Sequence, residues 1–284
     1  MNSKTILGLI QASRPINVII AMLTAVVAII FLNQELKINM LPAVLIVGCT
    51  TILANTTNDI IDTKIDQINR IERPLPSGAV TLKSINIYSG TIFLLLLFII
   101  ASNSVHTNAK IFVLLIIFPA IAIYNLYLKR SPLVGNIVVA MILGSVFIFI
   151  ELAITGALKF SFTPFMLATL LSFPRELIKD IEDIKGDSNN NIRTFPVVFG
   201  KQKSLFIFKI SIITLIIFSI YVYTYIEGFE LLYIMLLVPL IHIPLLFCLY
   251  VTTYKTNISY RLISMILKIC TCFGLVVILF GKTA

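Results

Sequence analysis

The spacing Asp-x-x-Asp-x-x-x-Asp occurs twice in this 284-residue chain, as Asp59/Asp62/Asp66 and as Asp180/Asp183/Asp187. The surrounding sequence is 58% hydrophobic and only 12% charged. Carboxylates are costly in apolar surroundings, so two matched sets of three point to a chemical role. Steps of three and four return to nearly the same face of an α-helix. Each triplet therefore predicts an acidic stripe, with Asn55 and Asn58 on the first, Glu176 extending the second, and Glu182 pointing away. Two facing stripes would concentrate negative charge that calls for cations. Mg²⁺ takes oxygen ligands and is commonly shared between carboxylates and substrate phosphates.

The segments around the triplets carry complementary charge. The first stripe runs from Asn58 toward Arg70 and Arg73, where Pro74 and Pro76 stop the helix. The second lies within Arg175-Glu-Leu-Ile-Lys-Asp-Ile-Glu-Asp-Ile-Lys-Gly-Asp187 and is followed by Arg193 and Pro196. The two segments read as an internal repeat, offset by 121 residues. Salt-bridged, solvated helix ends are the ordinary explanation for one such cluster, but they leave the repeated spacing unexplained. Acidic groups for Mg²⁺ with Arg and Lys at their ends for phosphate oxygens make a diphosphate site. A third stretch, Tyr124-Asn-Leu-Tyr-Leu-Lys129-Arg130-Ser-Pro-Leu-Val-Gly-Asn136, offers two more bases, readable either as membrane anchors or as phosphate contacts. Arg14 and Asn17, at the entry to the first apolar span, admit the same two readings. His106, His242 and Glu151 have no assigned role.

The elements that must position these residues are apolar helices. Mean hydropathy is +1.02, outside the range of an ordinary soluble domain. Stretches of bilayer-spanning length are predicted at 15–33, 40–57, 83–103, 109–127, 133–155, 160–176, 204–226, 231–252 and 261–280. The expectation is an all-α integral membrane protein of nine spans, forming one domain over 1–284. The start, Met1 to Arg14, lacks the layout of a cleaved signal peptide, and the first span is read as part of the mature protein. With the N-terminus in the cytoplasm, 22 Lys and Arg divide very unevenly. Only Lys37, Lys110, Lys159 and Lys282 fall on the far side, which predicts N-terminus inside and C-terminus outside. Both triplets then lie on the cytoplasmic face. The basic balance needs no nucleic-acid partner, because no soluble basic domain exists to carry one. Cys49, Cys248, Cys270 and Cys272 sit in apolar spans without metal spacing and read as buried small hydrophobes.

Asn58-Asp59-x-x-Asp62-x-x-x-Asp66 with Arg70 and Arg73-Pro-Leu-Pro-Ser-Gly78 resembles the first signature of the UbiA superfamily of intramembrane prenyltransferases. Asp180-x-x-Asp183-x-x-x-Asp187 resembles the second, and Tyr124…Lys129-Arg130…Asn136 is similar to a third recurring stretch. The resemblance covers the whole chain. It implies nine helices around a central lipid-facing chamber, and transfer of an isoprenyl group from its diphosphate to a lipid-like acceptor with Mg²⁺. Carried over residue by residue, Asp62, Asp66, Asp180 and Asp187 would be catalytic. Together with Asn58, Asp59 and Asp183 they would hold metal. Asn58, Arg70, Arg73, Lys129, Arg130, Lys179, Arg14, Asn17, Tyr124 and Asn136 would bind substrate. The Arg175–Asp187 string is most similar to the archaeal branch that joins geranylgeranyl diphosphate to geranylgeranylglyceryl phosphate in ether-lipid synthesis. An aromatic acceptor, 4-hydroxybenzoate or a naphthoate, is the alternative within the family. A cation-coupled transporter is the remote one, because transporters place such groups near the bilayer midplane, not beside Arg and Lys at the ends of spans.

Overall fold

A computed structural model of the chain describes residues 3–102, 104–190, 192–255 and 259–282. Among these residues the secondary structure is helical, apart from one isolated bridge between Phe229 and Lys282. The first helix, α1 (Ser3–Ala12), meets α2 (Pro15–Phe31) at a 48° bend. Arg14 sits in that bend in the left-handed region, at φ 52°, where non-glycine residues are uncommon. Pro15 then opens α2 at a position that needs no N–H. Next come α3 (Leu41–Ile61), α4 (Thr63–Asn69) and α5 (Leu82–Ala101). A π turn, Val113–Ile117, joins α6 (Thr107–Phe112) to α7 (Phe118–Leu126). Residues Val134–Gly144 form α8 and Val146–Thr155 form α9. Then follow α10 (Phe162–Glu182), α11 (Ile184–Asn189), α12 (Phe195–Phe199) and α13 (Lys201–Tyr225). A second π turn, Val238–His242, joins α14 (Leu231–Leu237) to α15 (Ile243–Tyr254), and α16 (Tyr260–Gly281) closes the described chain.

The internal repeat is written into these boundaries. Both α3 and α10 contain 21 residues, and their first residues are 121 apart. Each ends on the middle carboxylate of its triplet: Asp62 has φ −85°, ψ 3° and Asp183 has φ −89°, ψ 3°. A short helix, α4 or α11, follows each. The two π turns echo this pairing, since each runs directly into a helix with proline second, Pro119 or Pro244. Proline cannot donate the i→i−4 bond, and a widened turn absorbs the defect.

The prediction of an unbroken acidic stripe is therefore corrected. The helix is interrupted at the middle aspartate, where ψ opens to 3° at both Asp62 and Asp183. The carboxylates keep a common side all the same, because the i→i−4 bonds continue through the break. Asp62 N–H donates to the Asn58 carbonyl at 2.9 Å, and Asp66 N–H to the Asp62 carbonyl at 2.9 Å. Asp183 to Lys179 and Asp187 to Asp183 repeat the pattern at 2.9 and 3.0 Å.

Each predicted span falls largely on helix among the described residues, with ends one or two residues off in places, and Asn103, the last residue of the third predicted span, lies outside the described residues. Among the described residues, seven helices are long and apolar enough to cross a membrane, or eight if the bent α1–α2 pair counts as one. α10 falls outside that set, since its last turns carry Arg175, Glu176, Lys179, Asp180 and Glu182. The interior packs around Phe147, Ile150, Leu177, Ile178, Phe208 and Leu245, while Leu94, Phe98, Leu115, Ile217 and Phe280 stand exposed on the outside. Such an apolar exterior suits lipid. Glu151 is buried and accepts N–H bonds from Lys159, Phe160 and Ser161, each at 3.0 Å. It fixes the turn that feeds α10. His242 shares a 2.8 Å bond with Ser219, away from the triplets. Three of the cysteines are buried as expected, but Cys272 is exposed on the apolar surface of α16.

Candidate active site

One cavity of about 750 Å³ collects both triplets. Its body is apolar, walled by side chains such as Ile46, Val47, Phe147, Leu167, Leu237 and Ile278. Its head is polar and lies where α4 packs against α11 and where α8 packs against α10. A long hydrocarbon fits the body, and a multiply charged group fits the head.

The head is cross-linked by ion pairs and hydrogen bonds that run between the two halves of the repeat. Asn58 Nδ2 donates to Asp62 Oδ2 at 2.8 Å. Lys129 Nζ donates to the same Asp62 oxygen and to Asn58 Oδ1, the latter at 3.3 Å. Arg73 Nη1 reaches Asp66 Oδ2 at 2.5 Å and Asp59 Oδ1 at 3.3 Å, and Arg14 pairs with that Asp59 oxygen as well. Arg70 crosses to the second half, where Nη2 donates to Asp183 Oδ2 at 3.0 Å. Asn136 Nδ2 holds Asp180 Oδ2 at 2.8 Å, and Thr194 Oγ1 donates to Asp187 Oδ2 at 3.3 Å. The excess of negative charge expected from the two triplets is thus partly met by the chain's own bases. Among the residues lining the cavity, seven carboxylates face seven Arg and Lys.

That balance bears on what the head accepts. A diphosphate brings several negative charges that the protein alone does not neutralise, so added cations are required. The donor set fits Mg²⁺ in type, being carboxylate and amide oxygens. Asp62 Oδ1 is buried and has no hydrogen-bond partner among the described residues, which leaves an acceptor oxygen for a cation to use. No group of three or more His, Cys, Asp or Glu among the described residues is gathered into a ready-made cage. Sharing of the ion with phosphate oxygens is what this chemistry calls for. Burial pushes Asp66 above the ordinary carboxylate range, with Asp62 and Asp59 adding to the rise and Arg73 opposing it. Asp187 is pushed up to about 6, first by burial and then by Asp183, against the pull of Lys129 and the Thr194 hydrogen bond.

Most residues expected from the sequence meet here. Arg14, Asn17, Asn58, Asp59, Asp62, Asp66, Arg70, Arg73, Tyr124, Lys129, Asn136, Lys179, Asp180, Asp183 and Asp187 all line the cavity. Arg130 is the exception. It is exposed and outside the lining, because the turn Leu128–Arg130 directs Lys129 inward and the next residue away. Lys179 lines the cavity paired with Glu176 at 2.5 Å. The sequence reading missed Arg175 and Lys268, which also line it. Lys268 Nζ donates to Asn17 Oδ1 at 2.8 Å, joining the last helix to the second. A lone lysine within the apolar final span was the available signal.

A model of the UbiA prenyltransferase family matches residues 18–265 of the chain. Digeranylgeranylglyceryl phosphate synthase of Methanosphaera stadtmanae is 33% identical over 232 residues, covering 81% of this chain and 82% of the relative. A solved structure described as digeranylgeranylglyceryl phosphate synthase in membranes superposes with a TM-score of 0.73 at 26% identity, covering 98% of both chains. A UbiA homologue from Archaeoglobus fulgidus, bound to GPP and Mg²⁺, has the same fold with a TM-score of 0.66 at 18% identity, covering 95% of this chain and 99% of that one. With its apolar helices and its paired acidic triplets, the chain is a multi-pass membrane protein that belongs to the UbiA prenyltransferase family.

Proposed function

We propose that this enzyme transfers a geranylgeranyl group from geranylgeranyl diphosphate to geranylgeranylglyceryl phosphate, forming the second ether bond of an archaeal membrane lipid. The observation that carries this reading is the polar head of the cavity, where two acidic triplets and their Arg and Lys partners stand over a long apolar body. Its relatives of the same fold and comparable length, named for that product, support the choice of substrates. In the reaction the C1–O bond of the donor breaks and its electron pair leaves with diphosphate. A new bond forms between C1 and the glyceryl hydroxyl oxygen, and the hydroxyl proton is released.

Asn58, Asp59, Asp62 and Asp66 from the first half, with Asp180, Asp183 and Asp187 from the second, would hold Mg²⁺. Bound there, Mg²⁺ neutralises diphosphate oxygens and makes diphosphate a better leaving group. Arg70, Arg73 and Lys129 exchange their carboxylate partners for phosphate oxygens as the substrate enters, and they stabilise the charge that grows on the leaving group. Asn136 and Asn58 orient the carboxylates they bond. The apolar body holds the tail, at about 0.8 kcal/mol for each buried CH₂. The chain acts as a single domain in which α10 completes nine spans. The triplets face the cytoplasm, where Lys and Arg are concentrated, and the chamber opens toward lipid.

The test is turnover by the purified protein with Mg²⁺, labelled geranylgeranyl diphosphate and a panel of acceptors. Transfer to geranylgeranylglyceryl phosphate is expected, with loss of activity on chelation and in Asp62→Asn and Asp180→Asn. Removing a group that acts on the leaving diphosphate should lower kcat by about 10²-fold or more. Transfer only to 4-hydroxybenzoate or a naphthoate would overturn the acceptor, and unchanged turnover in both variants would overturn the site.

A further inference from the structure

The charges that line the head are balanced in total but divided in space. Around the triplets, Arg70, Arg73 and Lys129 pair with four of the six aspartates, Asp183, Asp59, Asp66 and Asp62. Beside them lies a region of opposite character, in which Arg14, Arg175 and Lys179 act on one carboxylate, Glu176, and Lys268 lies within electrostatic reach of Arg14 and Arg175. Glu176 takes Lys179 at 2.5 Å and Arg175 at 3.5 Å. Arg14 serves both regions, since it pairs with Asp59 and also acts on Glu176 and Lys268. Lys268 has no carboxylate within ion-pair distance among the described residues, and its bonded partner is the neutral Asn17. An ammonium group has three donors, so Asn17 leaves two unspent. Arg175 Nε is buried with no hydrogen-bond partner among the described residues. One region is an acid excess, and its neighbour is a base excess.

The internal repeat sharpens this division. Shifted by 121 residues, Arg175, Glu176 and Lys179 correspond to Ala54, Asn55 and Asn58. The carboxylates are duplicated, but the bases that precede them are found in the second half alone. Lys268 comes from α16, which packs against both α10 and α2, and so brings a third helix to the same spot. A symmetric diphosphate cradle needs none of this asymmetry.

We propose that Arg14, Arg175, Lys179 and Lys268 form a separate anion subsite that grips the phosphate monoester of the lipid acceptor while the triplets hold the donor's diphosphate. The inference rests on the acceptor reading above. Its metal independence sets it apart from the donor site: four bases bind a phosphate directly, by charge-assisted hydrogen bonds. It also separates the two substrates by their headgroups, so that each long tail enters with its own charge anchored.

The experiment uses the full chain in lipid nanodiscs without Mg²⁺, and titrates geranylgeranylglyceryl phosphate against its dephosphorylated counterpart, geranylgeranylglycerol. The phosphate ester should bind at least about tenfold more tightly than the alcohol. Lys268→Gln and Arg175→Gln should each remove about tenfold of that preference, the ordinary worth of one charge-assisted contact. Lys268→Arg, which keeps the charge, should retain it. If the unmodified protein shows no preference for the ester, the acceptor reading itself fails. If it prefers the ester and the Gln variants prefer it equally, the acceptor reading stands and the subsite is overturned. Loss of preference in Lys268→Arg as complete as in Lys268→Gln would also overturn it, because charge would not then be the cause.

Discussion

At the scale of single residues, the triplets are held by partners from the chain itself. Asp62 spends one oxygen on Asn58 and Lys129 and keeps the other buried, with no hydrogen-bond partner among the described residues. Asp187, pushed up to about 6 by burial and by Asp183, has a direct pH consequence. A carboxyl group whose folded pKa is raised contributes stability below the unfolded value, near 4, and loses it as pH rises through about 6. A metal ion that takes the place of the proton restores stability on the high side. Mg²⁺ should therefore raise the thermal unfolding midpoint more at pH 7.5 than at pH 5.5, read from melting curves with and without the ion. An equal rise at both values would remove Asp187 from the metal ligands.

Among the elements, close approach of backbones decides where the bases sit. Lys129 rides on the turn Leu128–Arg130, and that turn rests on Gly135 at the start of α8. A Cβ at Gly135 would come within 2.5 Å of the Leu128 carbonyl oxygen. Backbone cannot yield to such a contact as the end of a flexible side chain can. Gly135→Ala should cost roughly 1–3 kcal/mol of stability, and kcat should fall because Lys129 is moved off Asp62. Unfolding and turnover measured side by side check both halves. An alanine variant with unchanged midpoint and kcat would show that the turn is not seated there.

For the molecule as a whole, the depth of the cavity sets which tails fit. Gly274 lies on α16 in the cavity wall, and a Cβ there would find Leu171 Cδ2 as its nearest atom, at 3.8 Å. A phenylalanine at this position has room to project into the apolar body. Excluding one five-carbon unit forfeits about 4 kcal/mol of tail burial, at 0.8 kcal/mol for each CH₂. Gly274→Phe is expected to shift preference from geranylgeranyl toward farnesyl or geranyl diphosphate. Relative kcat/KM across the three donors measures it, and an unaltered order would place the tail along another wall.

The sequence by itself determined the two aspartate triplets and the helices that carry them. Aspartate spacing, the 121-residue repeat and the run of apolar stretches are local properties, and helical periodicity turns them into faces. It did not determine the break at Asp62 and Asp183, since a residue's ψ depends on what packs around it. Nor did it separate Lys129 from Arg130, neighbours in the chain that a tight turn sends to opposite sides. Arg175, Lys268 and Asn17 lie far apart in sequence and become one cluster only where α2, α10 and α16 converge. Long-range pairing of this kind has no periodic signature, because it arises from how helices pack and not from how any one of them is written. The tertiary structure alone therefore decided which bases answer the aspartates and which stand apart from them.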